Sequence, residues 1–121
     1  MLKFGQLYLQ SGRWNGEQII SEDIVKRSIF PSISTTPPRR GSYGWHWWVD
    51  SYGKENLKHD DNSSQAGSSL LHYYYALGFG GQNIIVIPAR DLVIVITRDQ
   101  TKKSKPPVDI FRQCIAPRLV D

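Results

Sequence analysis

Ala76-Leu77-Gly78-Phe79-Gly80-Gly81-Gln82-Asn83 decides how this chain is read. It lies between two apolar runs, Leu70 to Tyr75 and Ile84 to Ile87, and puts three glycines into four residues. Glycine weakens a strand, so within a strand pattern it marks a bulge, a tight bend, or a place where something approaches the backbone closely. That something is either a ligand or another piece of the protein. The residues alone leave both readings open.

Downstream, Ile84 to Ile87 and Leu92 to Thr97 are continuous apolar runs joined by Pro88-Ala89-Arg90-Asp91. Neither run alternates, which predicts an antiparallel hairpin buried on both faces. Lys102 to Pro107 ends the sheet. Val108, Ile110, Phe111, Ile115 and Leu119 then form a helical stripe able to cover one face. Pro117 is expected to shorten that helix or end it early.

Upstream, Ser51 to Ser69 is polar and reads as one long variable loop. Tyr43 to Asp50, with three tryptophans in four residues, reads as a strand with rings on both faces. Pro31 to Gly41 is a loop by its Ser, Thr, Pro and Arg content. Ser21-Glu22-Asp23 is an N-cap followed by two acids that suit the helix dipole, with Ile24, Val25 and Ile29 as the apolar side. Arg13-Trp14-Asn15-Gly16 is a turn. Met1, Phe4, Leu7 and Tyr8 recur at helical spacing ahead of Gly12, without a capping residue.

The order of elements gives an α+β fold, an antiparallel sheet flanked by helices, in one unit spanning 1–121. A sheet covered on both faces needs more helix than these residues supply. With no cap and too little cover, the chain is expected to begin inside a larger domain.

Composition narrows the function. The net charge of +4 comes from 15 Lys and Arg against 11 Asp and Glu, scattered with no basic face, so no nucleic-acid partner is expected. No apolar run reaches the length of a membrane span. Cys114 is the single cysteine and excludes an internal disulfide. His46, His59, His72, Asp60, Asp61 and Cys114 have no zinc-ligand spacing, and no metal or other cofactor is called for. Ser51-Tyr52-Gly53-Lys54 matches S-x-x-K in letters, but that chemistry needs the serine at a helix start with the lysine one turn on. Here the match follows a strand, and Gly53 interrupts it. The residues present no credible nucleophile and base.

Phe4 to Leu9, Arg13-Trp14-Asn15-Gly16, Tyr43-Gly44-Trp45, and above all Ala76 to Pro88 with Asp91 to Val95, resemble the C-terminal part of the β-lactamase-related serine hydrolases. These include class C β-lactamases, penicillin-binding proteins, and related esterases and amide hydrolases. The likeness covers the chain apart from the loop at 53–69. It implies a C-terminal fragment of a serine β-lactamase-like fold. The S-x-x-K and Y-x-N motifs, and with them the catalytic Ser, Lys and Tyr, would lie upstream.

By the resemblance, the third motif of such enzymes, K-T-G or a variant, is expected on Ala76-Leu77-Gly78, with the neighbouring glycines leaving its register open by a residue or two. Ala76 departs from the polar or bulky residue usual there, which argues against classical β-lactam carboxylate recognition. By this resemblance the N–H of Phe79 is an oxyanion donor, Ala76, Leu77 and Gly78 line the substrate, and Gly80, Gly81 and Gln82 shape the turn behind them. The implied substrate of the full-length parent is a small ester, amide or β-lactam, and the fragment alone is expected to be inactive. The alternative is a noncatalytic binding or oligomerising module derived from that fold.

Overall fold

The computed structural model describes residues 1–34, 41–53, 70–99 and 103–120. The fold is α+β. A meander of antiparallel strands runs in the order β3-β4-β5-β6-β7-β8: β3 (Ile33–Ser34), β4 (Ser42–Tyr43), β5 (Trp48–Tyr52), β6 (Leu71–Gly78), β7 (Gln82–Ile87) and β8 (Leu92–Ile96). Helix α1 (Leu2–Leu9) lies on one face, and α3, a run over 107–119, lies on the other.

Strand alternation sorts the apolar residues between these covers. Tyr73, Tyr75, Ile85 and Ile87 face α3 and enclose Phe111, whose ring meets Tyr73 edge-on at 4.8 Å. Tyr74, Ile84 and Val86 face α1. Trp47 seals that side, edge-on to Tyr74 at 5.1 Å and 4.7 Å from Tyr8. The expected two-sided burial holds for β7, where Ile85, Val86 and Ile87 are wholly buried, but the residues of β8, expected to be as deeply covered, are only half-buried.

Helix α1 meets the sheet through its glycine. Gly5 is its buried residue, whereas Met1 and Phe4, counted above in the apolar stripe, are about half exposed. A methyl group at Gly5 would lie 2.5 Å from Val93 Cγ1 and 2.7 Å from Ile84 Cγ2, so the helix backbone rests directly on β7 and β8. Past α1, Gly12 takes φ +86, and the Asn15-Gly16 turn closes a small hairpin of β1 (Arg13–Trp14) and β2 (Glu17–Gln18). Helix α2 (Glu22–Ser28) starts at Ser21, whose hydroxyl accepts from the Ile24 N–H at 3.3 Å. Val25 is its buried contact, but Ile24 is exposed, against expectation.

Four expectations are corrected. Tyr43 to Asp50 is not one strand but the hairpin β4–β5, pairing Tyr43 with Trp48. The Gly44 N–H donates to the Trp47 carbonyl at 2.7 Å, and His46 takes φ +64. Gly44 packs against the Ser28 carbonyl, where a Cβ would sit 2.4 Å away, and the Trp45 N–H donates to that carbonyl at 2.9 Å, so the bend is seated on the end of α2. The segment after Pro31 is not loop throughout, because Ile33–Ser34 pairs with β4. Nor does Pro117 end α3. A proline lacks the N–H and crowds the carbonyl four residues back. The helix accommodates it by widening into a π turn at Phe111–Ile115, between Pro107–Ile110 and Ala116–Leu119. The polar loop expected at 51–69 also changes at its start, since Ser51 and Tyr52 belong to β5; its remainder from 54 onward lies outside the described residues.

Candidate functional site

The stretch that opened the reading forms the end of β6 and its turn. Tyr74 to Gly78 pair with β7, from Tyr74 opposite Val86 to Gly78 opposite Gln82. The Gly81 N–H donates to the Gly78 carbonyl at 3.2 Å, and Gly80 and Gly81 take φ +82 and +87, a left-handed region that suits glycine. The glycines therefore build a tight hairpin turn, the bend foreseen above.

The two edges of β6 are offset. Its ladder with β5 runs from Leu71 opposite Tyr52 to Tyr75 opposite Trp48. Ala76, Leu77 and Gly78 lie beyond that ladder and, among the described residues, pair with β7 alone. In an antiparallel pair, successive residues direct their backbone groups to opposite edges. The Gly78 carbonyl points into the hairpin, so Leu77 presents its N–H and C=O to the edge away from β7. Ala76 shares the α1 face with Tyr74 and is half-buried. Leu77 is half exposed, and Phe79 at the tip is 95% exposed.

The turn is held from behind. The Gln82 side-chain amide donates to the Arg98 carbonyl at 3.2 Å. A Cβ at Gly81 would stand 3.0 Å from Arg98 Cδ and 3.4 Å from Pro107 Cδ. Arg98 Nε in turn donates to the Ser104 hydroxyl at 2.9 Å. Gln82 thus braces the turn with its side chain, and Gly81 permits the close approach.

Two polar features were not foreseen. Asn83, across from Leu77, is wholly buried, and neither Oδ1 nor Nδ2 has a hydrogen-bond partner among the described residues. The other feature is a network joining α3 to β5 and β6. Arg112 Nη1 donates to Asp50 Oδ2 at 2.8 Å, to the Tyr73 hydroxyl at 2.7 Å and to the Ser51 carbonyl at 3.3 Å. The Tyr73 hydroxyl donates to Asp50 Oδ2 at 2.9 Å, and the guanidinium lies over the Tyr52 ring at 5.3 Å. Burial, with the Asp50 charge, pushes the Tyr73 hydroxyl far up in pKa, while burial raises Tyr74 and takes Tyr75 to about 12. These phenols stay protonated near neutrality, as structural donors and not bases.

Of the serine-enzyme letters, Ser51 lies within β5 and not at a helix start, and Lys54 is outside the described residues. Of the histidine and acid set, His59, Asp60 and Asp61 are outside them too; no group of three metal-ligating side chains converges among the described residues. No helix there is long and apolar enough to cross a membrane. Searches of known protein families and of curated proteins return no match to this chain.

Proposed function

We propose that this chain is the C-terminal part of a β-lactamase-related serine hydrolase domain, in which the end of β6 forms one wall of an acyl-transfer site. The observation that carries the reading is the one-sided pairing of Ala76–Gly78, which among the described residues leaves a backbone edge open beside an exposed Phe79. An open edge next to a rigid glycine turn suits the fixed backbone donor that stabilises an oxyanion.

In the parent enzyme, the oxygen of an upstream serine would attack the carbonyl carbon of an ester or amide while a lysine and tyrosine pair takes its proton. Negative charge developing on the carbonyl oxygen would be held by the N–H groups of Phe79 and of the serine. Collapse would expel the alcohol or amine with a proton, and water would then hydrolyse the acyl-serine. The side chain at 76 offers no hydrogen bond, so selection would rest on Leu77, the backbone edge and the opposite wall.

The test uses the purified chain and its Phe79→Pro variant, which lacks the proposed donor, on an activated ester. The chain is expected to show no turnover beyond the uncatalysed rate, and a serine-directed phosphonate should label none of its residues. Turnover lost in Phe79→Pro, or a labelled serine within the chain, would overturn the claim that the nucleophile lies outside it. The half-exposed Leu77 and exposed Phe79 also favour a second reading, a noncatalytic binding or oligomerising module. A cooperative melt from a monomer that binds no hydrophobic dye would support folding as an independent module.

A further inference from the structure

We propose that the cleft between α1 and the β1–β2 hairpin binds a small sugar acid: its carboxylate on Arg13, its hydroxyls on Gln6 and Gln10, and one ring face on Trp14. This site is remote in sequence from the β6 turn, and its argument does not use the hydrolase reading. The cleft has a volume of about 450 Å³ and is lined by Gln6, Gln10, Arg13, Trp14, Asn15 and Gly16. That volume is within the range of small-molecule sites.

The lining combines one guanidinium, three carboxamides and an indole, with no acid. Trp14 is half-buried but belongs to neither apolar cluster, unlike Trp47 and Trp48, and its indole has no hydrogen bond or ring contact among the described residues. Gln6 and Gln10 stand one helical turn apart at the same side of α1, and their amides also have no partner among the described residues. An apolar ring face flanked by amides suits a sugar, which presents C–H groups on one face and hydroxyls at its rim.

Arg13 is held in place for recognition. Its Nε donates to Gln18 Oε1 at 2.9 Å, and Gln18 Nε2 donates to the Ser11 carbonyl at 2.8 Å and to the Ile20 carbonyl. With Nε occupied by this brace, the two Nη groups remain for a carboxylate, which a guanidinium grips with paired bonds. Glu22, the acid that feels the charge of Arg13, is ion-paired with Lys26 at 2.9 Å and does not line the cleft. The floor is stiff because Asn15 and Gly16 occupy the paired positive-φ positions of a two-residue hairpin turn.

Titration of the full chain with glucuronate, glucose and acetate, followed by amide and indole N–H resonances, separates the components. Glucuronate is expected to shift the Trp14 indole and the Gln6 and Gln10 side-chain amides saturably, with Kd on the order of 1 mM for a cleft this open. Glucose and acetate should each bind about tenfold more weakly, and Arg13→Gln should weaken glucuronate about tenfold while leaving glucose unchanged. Should Arg13→Gln disturb the hairpin, the double variant Gln6→Ala with Gln10→Ala, at exposed positions, must weaken glucuronate to a similar degree. No saturable shift with glucuronate, an equal response to acetate alone, or wild-type affinity in the double variant overturns the proposal.

Discussion

Replacing Arg112 by Met tests how α3 is fastened to the sheet. The guanidinium makes three donor contacts, to Asp50 Oδ2, the Tyr73 hydroxyl and the Ser51 carbonyl, and lies over Tyr52. Asp50 would keep the Ser51 N–H on Oδ1 at 2.8 Å and the Tyr73 hydroxyl on Oδ2, but no countercharge from this network. Removing one partner of a buried ion pair costs about 3–5 kcal/mol, because the other charge stays desolvated. The Arg112 and Asp50 side chains keep 12% and 14% of their exposure, which admits some solvent. The lower end, about 3 kcal/mol, is therefore expected for Arg112→Met, and about 1.5–3 kcal/mol for Tyr73→Phe, which loses the bond donated to Asp50 and the one accepted from Arg112.

Urea denaturation reads both as shifts in midpoint at constant slope. The double variant Asp50→Leu with Arg112→Met removes both charges. It should cost at least 2 kcal/mol, as an approximate figure, less than the sum of the two single changes. Salt should change these differences little, since a buried pair is weakly screened. A loss below about 0.5 kcal/mol for Arg112→Met, or strict additivity in the cycle, would refute the claim that this pair holds α3 to the sheet.

Other expectations follow from the packing. Gly5→Ala gains about 1 kcal/mol of helix propensity, but pushes a methyl into the stiff β-branched side chains of Val93 and Ile84. Overpacking of about 1–3 kcal/mol makes the net change destabilising, and a raised Tm would contradict it. Asn83→Val should stabilise by about 1–2 kcal/mol in urea, because it removes from a strand a buried amide with no partner among the described residues and installs a good strand former; a loss would mean that the amide is satisfied by a bound partner.

Tyr73, Tyr74 and Tyr75 have pKa values raised above the ordinary 10.0, Tyr75 to about 12. A raised folded pKa contributes stability that is present below the unfolded value and lost on ionisation. The melting temperature should therefore hold to about pH 10 and fall through about pH 12. Tyr75→Phe should reduce that fall, and a flat profile across this window would count against the buried phenols.

How much was legible in the sequence depended on how local the cause was. The β7–β8 hairpin and α2 announced themselves through apolar runs, the Pro88–Asp91 connection and the Ser21 cap, and all of these act within a few residues. The glycine turn after β6 was legible for the same reason. The break within Tyr43–Asp50 was not, because the tryptophans favour a strand and the bend is seated on the Ser28 carbonyl of a different element. Ile33–Ser34 is a strand only by pairing with β4.

Pro117 misled because a π turn, set by the whole packed helix, absorbs it. In α1 Tyr8 of the expected stripe does pack against Trp47, but the closest backbone approach is at Gly5, where missing volume is the signal. That Ala76 to Gly78 end a strand before a glycine turn could be read in advance. The open edge of that strand could not, since it depends on where β5 stops pairing. The Asp50–Arg112 pair spans 62 positions and left no local trace.

We propose above that Ala76 to Phe79 form one wall of an acyl-transfer site whose nucleophile is encoded upstream. Reading the gene upstream of Met1 in frame tests this most directly. The expected result is an uninterrupted frame that encodes S-x-x-K and, after it, Y-x-N or Y-x-S. A stop codon immediately upstream, with the 121-residue product confirmed by intact mass, would contradict it.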